Sequence, residues 1–379
     1  MEDPQADPPP RLAVCLLANN AANLYLPGST GGVGGVEVQY KLLAAQMGRH
    51  HDVSLLVRAT PEEAERLVPE PGVRLVAVEP GGRSLVAIAS RIWRGLRRAD
   101  AGIYMQSAAG FVTFAAALFC KARRRTFIYH WASDADLGGA LMPSVGIDRW
   151  LFRRGRAMAT AQVVQTERQW GLLSERERRA AWLMPNLLDT SIPWREGAGR
   201  EVLWVATIKE KAKRPERFLD LAAALPHRRF RMVGELKGDA AFQAEFHRRL
   251  AALPNVHWAG FVPRHELPPH YAAARCLVNV SDTEGFPNTF LEACASAVPI
   301  VSLNVDPNGM LSKDGAGAFL EGDVAALPAA VEAMFEDRPW QARRKACRAV
   351  AAAHAPGAIA ARLAAFLAQV QARRGRRAP

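Results

Sequence analysis

The chain has 379 residues, of which 49% are hydrophobic and 23% are charged, a composition typical of a globular protein with two domains. Its net charge of +12 and pI near 10 favour anionic partners, such as nucleic acid, anionic lipid or phosphorylated small molecules. The five cysteines form no C-x-x-C pair, and the most membrane-like run, residues 108–120, is shorter than the roughly 20 residues of a membrane span. We therefore expect a cytoplasmic protein without a disulfide framework.

Short β-rich runs alternate with helical patterns along the chain, which predicts a parallel α/β architecture with two Rossmann-like domains. Two such domains imply a cleft at the carboxyl ends of their strands. The predicted strands are 12–18, 52–58, 73–79, 101–106, 126–130, 161–166 and 180–184 in the first domain, and 201–207, 229–234, 255–261, 276–281 and 299–304 in the second. The predicted division is a disordered tail at 1–10, domains at 11–186 and 201–354, a linker at 187–200, and a C-terminal helix with a basic tail at 355–379.

A glycine-rich segment follows the first predicted strand, in the stretch GSTGGVGGVEVQYKLLAAQM at 28–47. Glycine lets the backbone approach a ligand closely, and the N-terminus of the following helix attracts anions. The dinucleotide fingerprint G-x-G-x-x-G fails here, because the sixth position counted from Gly32 is Glu37. We interpret the segment as a loop that lines the cleft; a purely structural loop is the alternative.

Residues 83–98, RSLVAIASRIWRGLRR, contain five arginines and no acidic residue. On a helix, the apolar side chains share one face and most of the arginines share the opposite face. The apolar set is Leu85, Ile88, Ile92 and Leu96, and the basic set is Arg91, Arg94, Arg97 and Arg98. Two interpretations stay open: the Arg83–Arg98 helix lies on an anionic membrane surface, or it is an ordinary surface helix with its apolar face in the core.

A lysine-rich loop, ATIKEKAKRPERF at 206–218, follows the first strand of the second domain and enters a helix at Pro215. Lys209, Lys211, Lys213 and Arg214 crowd this loop, and like charges so close repel each other unless an anion joins them. We predict a phosphate site here; a solvated loop is the alternative.

Two glutamates lie eight residues apart in SDTEGFPNTFLEACASAVPIVSLN at 281–304. Glu284 is expected on a loop at the carboxyl end of a strand, before a helix that begins near Asn288 or Thr289. The spacing Thr289-x-x-Glu292 fits a capping box, in which Glu292 bonds to the backbone at the helix start. The same helix start offers N–H groups to a phosphate, and a nearby carboxylate can accept a sugar hydroxyl.

His130 ends a predicted strand in FIYHWASDAD and is followed by Asp134 and Asp136, so we expect it at the cleft as well; an isolated structural histidine is the alternative. The segment HELPPH at 265–270 lacks the spacing and helix of a zinc protease motif. The sequence predicts no metal site, and it contains no P-loop and no G-x-S-x-G nucleophile motif.

Taken together, these segments resemble the retaining glycosyltransferases of family four, which have the two-domain GT-B fold. The resemblance covers roughly residues 28–345 and is most specific in the E-x7-E spacing of Glu284 and Glu292 within EGFPNTFLEACASAVPIVS. Pro287 and Ala297 stand where the family more often has glycine. The segment GGVEVQ at 34–39 is similar to the family's donor-side loop, and SLNVDPNG is similar to bacterial surface-polysaccharide members.

The resemblance implies that a nucleotide-diphosphate sugar is the donor substrate and that no cofactor is required. Lys209 and Lys213 would neutralise the diphosphate, with Lys211 as a rival to Lys209 for the place where the family usually has arginine. Glu284 would hold hydroxyls of the transferred sugar and Glu292 the ribose. The remaining implied contacts are the backbone amides of Asn288, Thr289 and Phe290, and in the first domain His130, Gly34 and Gly35. The resemblance also implies C-terminal helices that pack back toward the first domain.

The leading hypothesis is a cytoplasmic transferase for a lipid-linked or lipopolysaccharide-type saccharide acceptor, with peripheral binding to the inner face of the cell membrane through the Arg83–Arg98 helix. A soluble acceptor is the alternative within the class. A non-catalytic GT-B-fold protein that binds a saccharide or a partner is the alternative from another class, because Pro287 lacks an N–H and the expected arginine is missing. Nucleic-acid binding is disfavoured, because the basic residues lie in separate segments.

Overall fold

The computed structural model describes residues 11–29, 33–81, 84–107, 109–132, 146–209 and 212–375. The chain forms two compact units, one ending at Leu187 and including the segment from Pro356 onward, the other running from Leu188 to Ala355. The boundary lies inside the range expected to be a linker, but most of that range belongs to the second unit. Glu196 pairs there with Arg348 at 2.6 Å, and the Gly197 N–H donates to Ser296 at 2.7 Å.

The first unit is built on a seven-stranded sheet in the order β3-β2-β1-β4-β5-β6-β7, in which every pairing is parallel. Its strands are β1 Ala13–Leu17, β2 Asp52–Arg58, β3 Val73–Val78, β4 Ile103–Ser107, β5 Thr126–His130, β6 Ala161–Val164 and β7 Ala181–Leu183. Its helices are α1 Gly35–Met47, α2 Pro61–Arg66, α3 Leu85–Ala99, α4 Phe111–Ala122, α5 Gly146–Ala157, α6 Glu167–Leu172, α7 Glu175–Arg178 and, from the end of the chain, α14 Pro356–Gly375.

Helices cover both faces of this sheet, which explains why nearly all side chains of its central strands β1, β4 and β5 are buried. Val14 and Leu16 of β1 pack in one core with α1 and α14, whereas Cys15 and Leu17 pack in the opposite core with α3, α4 and α5. The C-terminal helix therefore packs on the first unit, as the resemblance implied.

The second unit has a six-stranded sheet in the order β10-β9-β8-β11-β12-β13, again with parallel pairings. Its strands are β8 Glu201–Val205, β9 Arg229–Val233, β10 Val256–Trp258, β11 Ala274–Asn279, β12 Ile300–Ser302 and β13 Gly317–Phe319. Its helices are α8 Pro215–Ala224, α9 Ala240–Ala251, α10 Pro268–Ala272, α11 Asn288–Ala295, α12 Leu327–Ala333 and α13 Asp337–Ala353. Helices α10, α11 and α13 share one core with the sheet, and α8, α9 and α12 share the other.

Two sequence-based expectations about α3 need adjustment. The helix begins at Leu85 because the Ser84 hydroxyl caps it by accepting the N–H of Ala87 at 3.2 Å. Ile92 and Leu96 are buried as expected, but Leu85 is 43% exposed and does not join the core. Among the described residues no single helix is long and apolar enough to cross a membrane, and only Asp337–Ala353 and Pro356–Arg373, broken at 354–355, meet that test as a pair.

Candidate active site

Glu284 and Lys213 form the centre of a polar cluster in the second unit. Glu284 lies on the loop between β11 and α11, and its carboxylate is 2.7 Å from the Lys213 ammonium. It also accepts hydrogen bonds from Asn279 Nδ2 at 2.8 Å and Ser281 Oγ at 2.7 Å. Burial alone would raise the pKa of this carboxyl, which is 14% exposed, but Lys213 and the two donors outweigh it and lower the pKa. Glu284 is therefore an anion with a fixed orientation.

The loop that carries Lys213 is shaped by its neighbours. Ala212 and Arg214 on either side have φ of +68° and +49°, a left-handed conformation that costs roughly 1–2 kcal/mol for a residue with a side chain. Asp282 holds this conformation: its N–H donates to Ala212 O at 2.9 Å, and its carboxylate accepts from Arg214 and from Arg217 at 2.6 Å. Burial alone would raise the pKa of Asp282. The guanidinium groups of Arg214 and Arg217 outweigh it and keep this pKa below its ordinary value.

The predicted capping box at 289–292 is wrong. Helix α11 begins at Asn288, as expected, but its N-cap is Pro287 and makes no side-chain capping bond. Thr289 is thus already inside the helix and cannot serve as the cap. The Phe290 N–H donates to Pro287 O at 3.2 Å, which engages one of the backbone donors assigned to a phosphate.

Glu292 belongs to a second buried cluster, which the sequence did not reveal. One carboxylate oxygen lies 2.9 Å from Arg264 Nη2, and the other accepts the Tyr271 hydroxyl at 2.8 Å. Burial, and then the nearby Glu292 charge, raise the pKa of Tyr271 well above its ordinary value, so its hydroxyl stays a donor. Asp189 Oδ2 lies 3.7 Å from the Nε of the same arginine. These contacts engage both oxygens of the Glu292 carboxylate.

The other two lysines of the loop are Lys209 and Lys211. Lys209 is exposed just beyond the bridge that Ile208 makes with Leu236, and Lys211 lies outside the described residues. Pro215 is the first residue of α8, as expected. The structure therefore joins Lys213 directly to Glu284, and Lys209 and Lys211 both stay predictions for the second cation.

In the first unit, His130 is the last residue of β5 and is fully buried. Its ring stacks on Tyr40 of α1 with centroids 5.7 Å apart, and within the described part of the chain neither ring nitrogen has a hydrogen-bond partner. Burial lowers its pKa to about 3, so the imidazole is neutral at pH 7. Asp134 and Asp136, which the sequence placed near it, lie outside the described residues.

Gly34 and Gly35 form the start of α1, with Gly34 as its N-cap. A Cβ added at Gly34 would clash with Glu37 Oε2, so the Glu37 carboxylate folds back over this helix start. An anionic ligand at the start of α1 would have to displace that side chain, because the two negative charges compete for the same positive end of the helix.

Sequence reasoning missed the residues that orient the two glutamates, namely Asn279, Ser281, Arg264 and Tyr271. It also missed Asp282, which holds the loop of Lys213. Asn279 and Ser281 had a local signal, because they are polar residues at the end of an apolar strand. Arg264 and Tyr271 had none, since they precede Glu292 by more than twenty positions and meet it only in the fold. Across the described residues, no group of three His, Cys, Asp or Glu side chains could hold a metal ion.

Solved structures with the same architecture cover almost the whole chain. The sucrose-phosphate synthase of Thermosynechococcus elongatus superposes with a TM-score of 0.76 at 17% identity, over 96% of this chain and 100% of that one. Anabaena HepE, crystallised with UDP and glucose, has a TM-score of 0.71 at 15% identity, over 94% and 99% of the two chains. A glycosyltransferase from Rickettsia africae has a TM-score of 0.71 at 12% identity, over 95% and 98%.

The fold is GT-B. Residues 199–337 of this GT-B chain match the family model described as Glycosyl transferases group 1, and the matched range includes Lys213, Glu284 and Glu292. Over 86 residues the chain is 35% identical to the O-antigen chain mannosyltransferase B of Escherichia coli. That match spans 23% of this chain and 23% of the relative, or about a quarter of its length.

Proposed function

We propose that the protein is a glycosyltransferase that moves a sugar from a nucleotide-diphosphate sugar to a saccharide acceptor with retention of anomeric configuration. The observation that carries the proposal is the Lys213–Glu284 cluster, which joins the loops after β8 and β11 at the carboxyl edge of the second sheet. Ligands of open parallel sheets bind at this edge. The cluster also lies within the residues that match the glycosyltransferase family model.

Donor binding would reorganise this cluster. The diphosphate carries negative charge that Lys213 can approach, and charge builds further on it as the sugar leaves. Glu284, held as an anion by Asn279 and Ser281, would then accept hydroxyls of the sugar. Lys213 and Glu284 would thus each exchange their mutual contact for a contact with the donor. Lys209 or Lys211 would supply the second cation. In this proposal Glu292 accepts a ribose hydroxyl through its remaining lone pairs.

In this proposal His130 and the helix start at Gly34 and Gly35 would also contact the substrate. The leaving phosphate takes the acceptor proton, so the reaction needs no protein nucleophile, metal or cofactor. A neutral imidazole suits His130 as a hydrogen-bonding group, because it can both donate and accept. We propose that the acceptor is lipid-linked or of the lipopolysaccharide type and that the protein acts in the cytoplasm. Support for this acceptor comes from the partial similarity to an O-antigen chain mannosyltransferase.

A donor screen tests the proposal. Thermal unfolding would be followed with UDP, GDP and ADP sugars, and the stabilising donors would be used in turnover assays. A donor at about 100 times its Kd stabilises the protein by about 2.7 kcal/mol, a readily measured shift. Glu284→Gln is expected to lower kcat/KM by about 10² to 10³-fold, because Gln cannot accept the sugar hydroxyls as an anion.

Glu216→Gln is the matched control, since Glu216 is a partly exposed carboxylate near the same loop that contacts Arg214 at 3.6 Å. It should retain activity within about twofold of the parent, as expected for a weak surface ion pair. A lack of stabilisation by every nucleotide sugar, together with equal effects of the two substitutions, would contradict the proposal.

A non-catalytic GT-B protein that binds a saccharide or a partner is the second candidate. It is favoured by the engagement of both glutamates within the protein and by Pro287, which offers no N–H at the start of α11. Tight donor binding that Glu292→Ala abolishes, without turnover of any acceptor, would favour this candidate over the transferase.

A further inference from the structure

Almost all of the net charge of the chain lies on one face of the first unit. We call the outer surface of α3, α4 with its following turn at 121–125, and α5 the basic layer; these three helices cover the same face of the sheet. The basic layer contains twelve arginines and lysines and one acidic residue, Asp148. Its formal charge of +11 compares with +12 for the whole chain, so the remainder is close to neutral.

Some of these charges form ion pairs with neighbouring residues in the described part of the chain. Arg125 pairs with Asp100 at 3.0 Å, and Arg156 lies 3.4 Å from Glu177. Arg91 and Arg98 donate to backbone carbonyl groups, which carry no net charge. Basic residues in the last turn of a helix are favoured by the helix dipole, and this explains Arg97 and Arg98. It does not explain why three adjacent helices lack acidic residues almost entirely.

Large apolar side chains are exposed on the same layer. Val86 in the first turn of α3 is 79% exposed, and Ile147 and Trp150 in α5 are 65% and 52% exposed. Because helices α3 and α5 return from the carboxyl edge of the sheet to its amino edge, these three side chains lie toward the same edge. The guanidinium of Arg154 lies 5.2 Å from the Trp150 ring centroid, which places a cation beside an exposed indole.

A groove beside α3 gathers further positive charge. It has a volume of about 520 Å³ and is lined by Arg91, Arg94, Arg97 and Arg98 together with Val78 and Glu79. Four guanidinium groups facing one acid would attract an anionic group the size of a phosphate ester. The groove and the exposed apolar side chains are separate observations on the same layer, and they call for a partner that is both anionic and apolar.

We propose that the basic layer docks on an anionic lipid bilayer, with headgroup phosphates against the arginines of α3 and α5, and with Val86, Ile147 and Trp150 in the interface. Tryptophan favours this depth of a bilayer, and juxtamembrane arginines gain affinity from anionic headgroups. Nucleic acid would match the charge but not the exposed aliphatic side chains. This proposal rests on the lipid-linked acceptor proposed above, because a bilayer would present such an acceptor to the protein.

Vesicle flotation of the full chain tests the docking, with phosphatidylcholine vesicles and with vesicles that also contain phosphatidylglycerol. The protein should float with the anionic vesicles only. Arg94→Gln/Arg97→Gln should lower the partition coefficient by about 25-fold, because each arginine near an anionic surface contributes about fivefold. Val86→Ser/Trp150→Ser should weaken binding and make the remainder more sensitive to salt, because only the electrostatic part is screened.

Arg338→Gln/Lys345→Gln on α13 is the matched control, because it removes the same charge from exposed positions of the second unit. It should float like the parent chain. Equal losses in the two charge variants, absence of flotation with anionic vesicles, or binding to a DNA duplex that the apolar variant leaves unchanged would each overturn the proposal. Flotation requires no turnover, so this result is independent of the donor screen.

Discussion

His130 is held without a hydrogen-bond partner among the described residues, stacked against Tyr40 at the end of β5. Its pKa of about 3 follows from burial, since protonation would place an unpaired charge in the core. A buried polar side chain without a partner destabilises the fold, and such residues concentrate where a ligand completes their contacts. A substrate contact at His130 stays a prediction.

The stability of the protein should depend on pH through His130. Above pH 6.5 the imidazole is neutral in both the folded and the unfolded chain, and stability is unaffected. As the pH falls below 6.5, only the unfolded chain binds the proton, so the free energy of unfolding decreases by about 1.4 kcal/mol per pH unit toward pH 3. His130→Phe keeps the stacked ring and removes this titration, so its slope should be shallower.

Urea unfolding of the parent and of His130→Phe at pH 7, 5.5 and 4.5 measures the difference. The variant should gain stability relative to the parent as the pH falls. Parallel curves for the two proteins over this range would contradict a buried neutral His130. His227→Phe serves as the control, because His227 is exposed and paired with Glu332 at 3.0 Å, and its removal cannot reproduce the effect of burial.

Helix α11 illustrates what local sequence can and cannot predict. Its start near Asn288 and the position of Glu284 on a strand-end loop followed from apolar periodicity and turn residues. The capping box failed, because the Thr-x-x-Glu spacing acts only when Thr is the N-cap, and here Pro287 takes that place. The partners of Glu292 lie on the segment before β11, and no local pattern links them to it. Ion pairs formed by the fold are beyond what spacing along one element can predict.

The sequence predicted the class of sheet, but not the order of its strands. Alternating apolar strands and helices indicated parallel sheets with both faces covered, and both sheets have that form. The expected second-domain boundary differed because residues 188–200 have turn-forming composition but pack by ion pairs and hydrogen bonds, such as Glu196 with Arg348, which composition does not reveal.

Asp282 connects the loop after β11 to the loop after β8, which carries Lys213. The role of this contact can be tested by substitution. Asp282→Asn keeps the shape of the side chain and removes the charge that holds Arg214 and Arg217. The left-handed turn on either side of Lys213 should then relax, and Lys213 should lose its fixed position. We expect faster trypsin cleavage after Lys213, and a donor KM raised several-fold with a smaller change in kcat.

Glu216→Gln is again the control, because it also neutralises a carboxylate beside Arg214 but makes no contact across the two loops. A role for Asp282 that is confined to overall stability would lower the melting temperature without changing the cleavage rate of this loop relative to other sites. That result would contradict the assignment of Asp282 as the residue that positions Lys213.

At the scale of the whole molecule, the segment that follows the second unit belongs to the first unit. After α13 of the second unit, α14 packs against the first sheet and α1, with Ile359, Leu363, Leu367 and Val370 in the core. Fully burying each such side chain contributes roughly 1.5–3 kcal/mol. The four together therefore contribute a free energy comparable to the net free energy of unfolding of a domain. The folding of the first unit therefore depends on a helix that follows the second unit in the sequence.

Leu363→Asp should destabilise the first unit by about 4 kcal/mol or more, because it places an unpaired carboxylate in that core. Ala361→Asp, an exposed position on the same helix, should change stability by less than about 1 kcal/mol. Hydrogen exchange with mass spectrometry locates the effect: exchange should rise in β1, β2 and α1 and stay at parent levels in β8 and β11. A rise confined to the second unit, or equal effects of the two substitutions, would contradict the assignment of α14 to the core of the first unit.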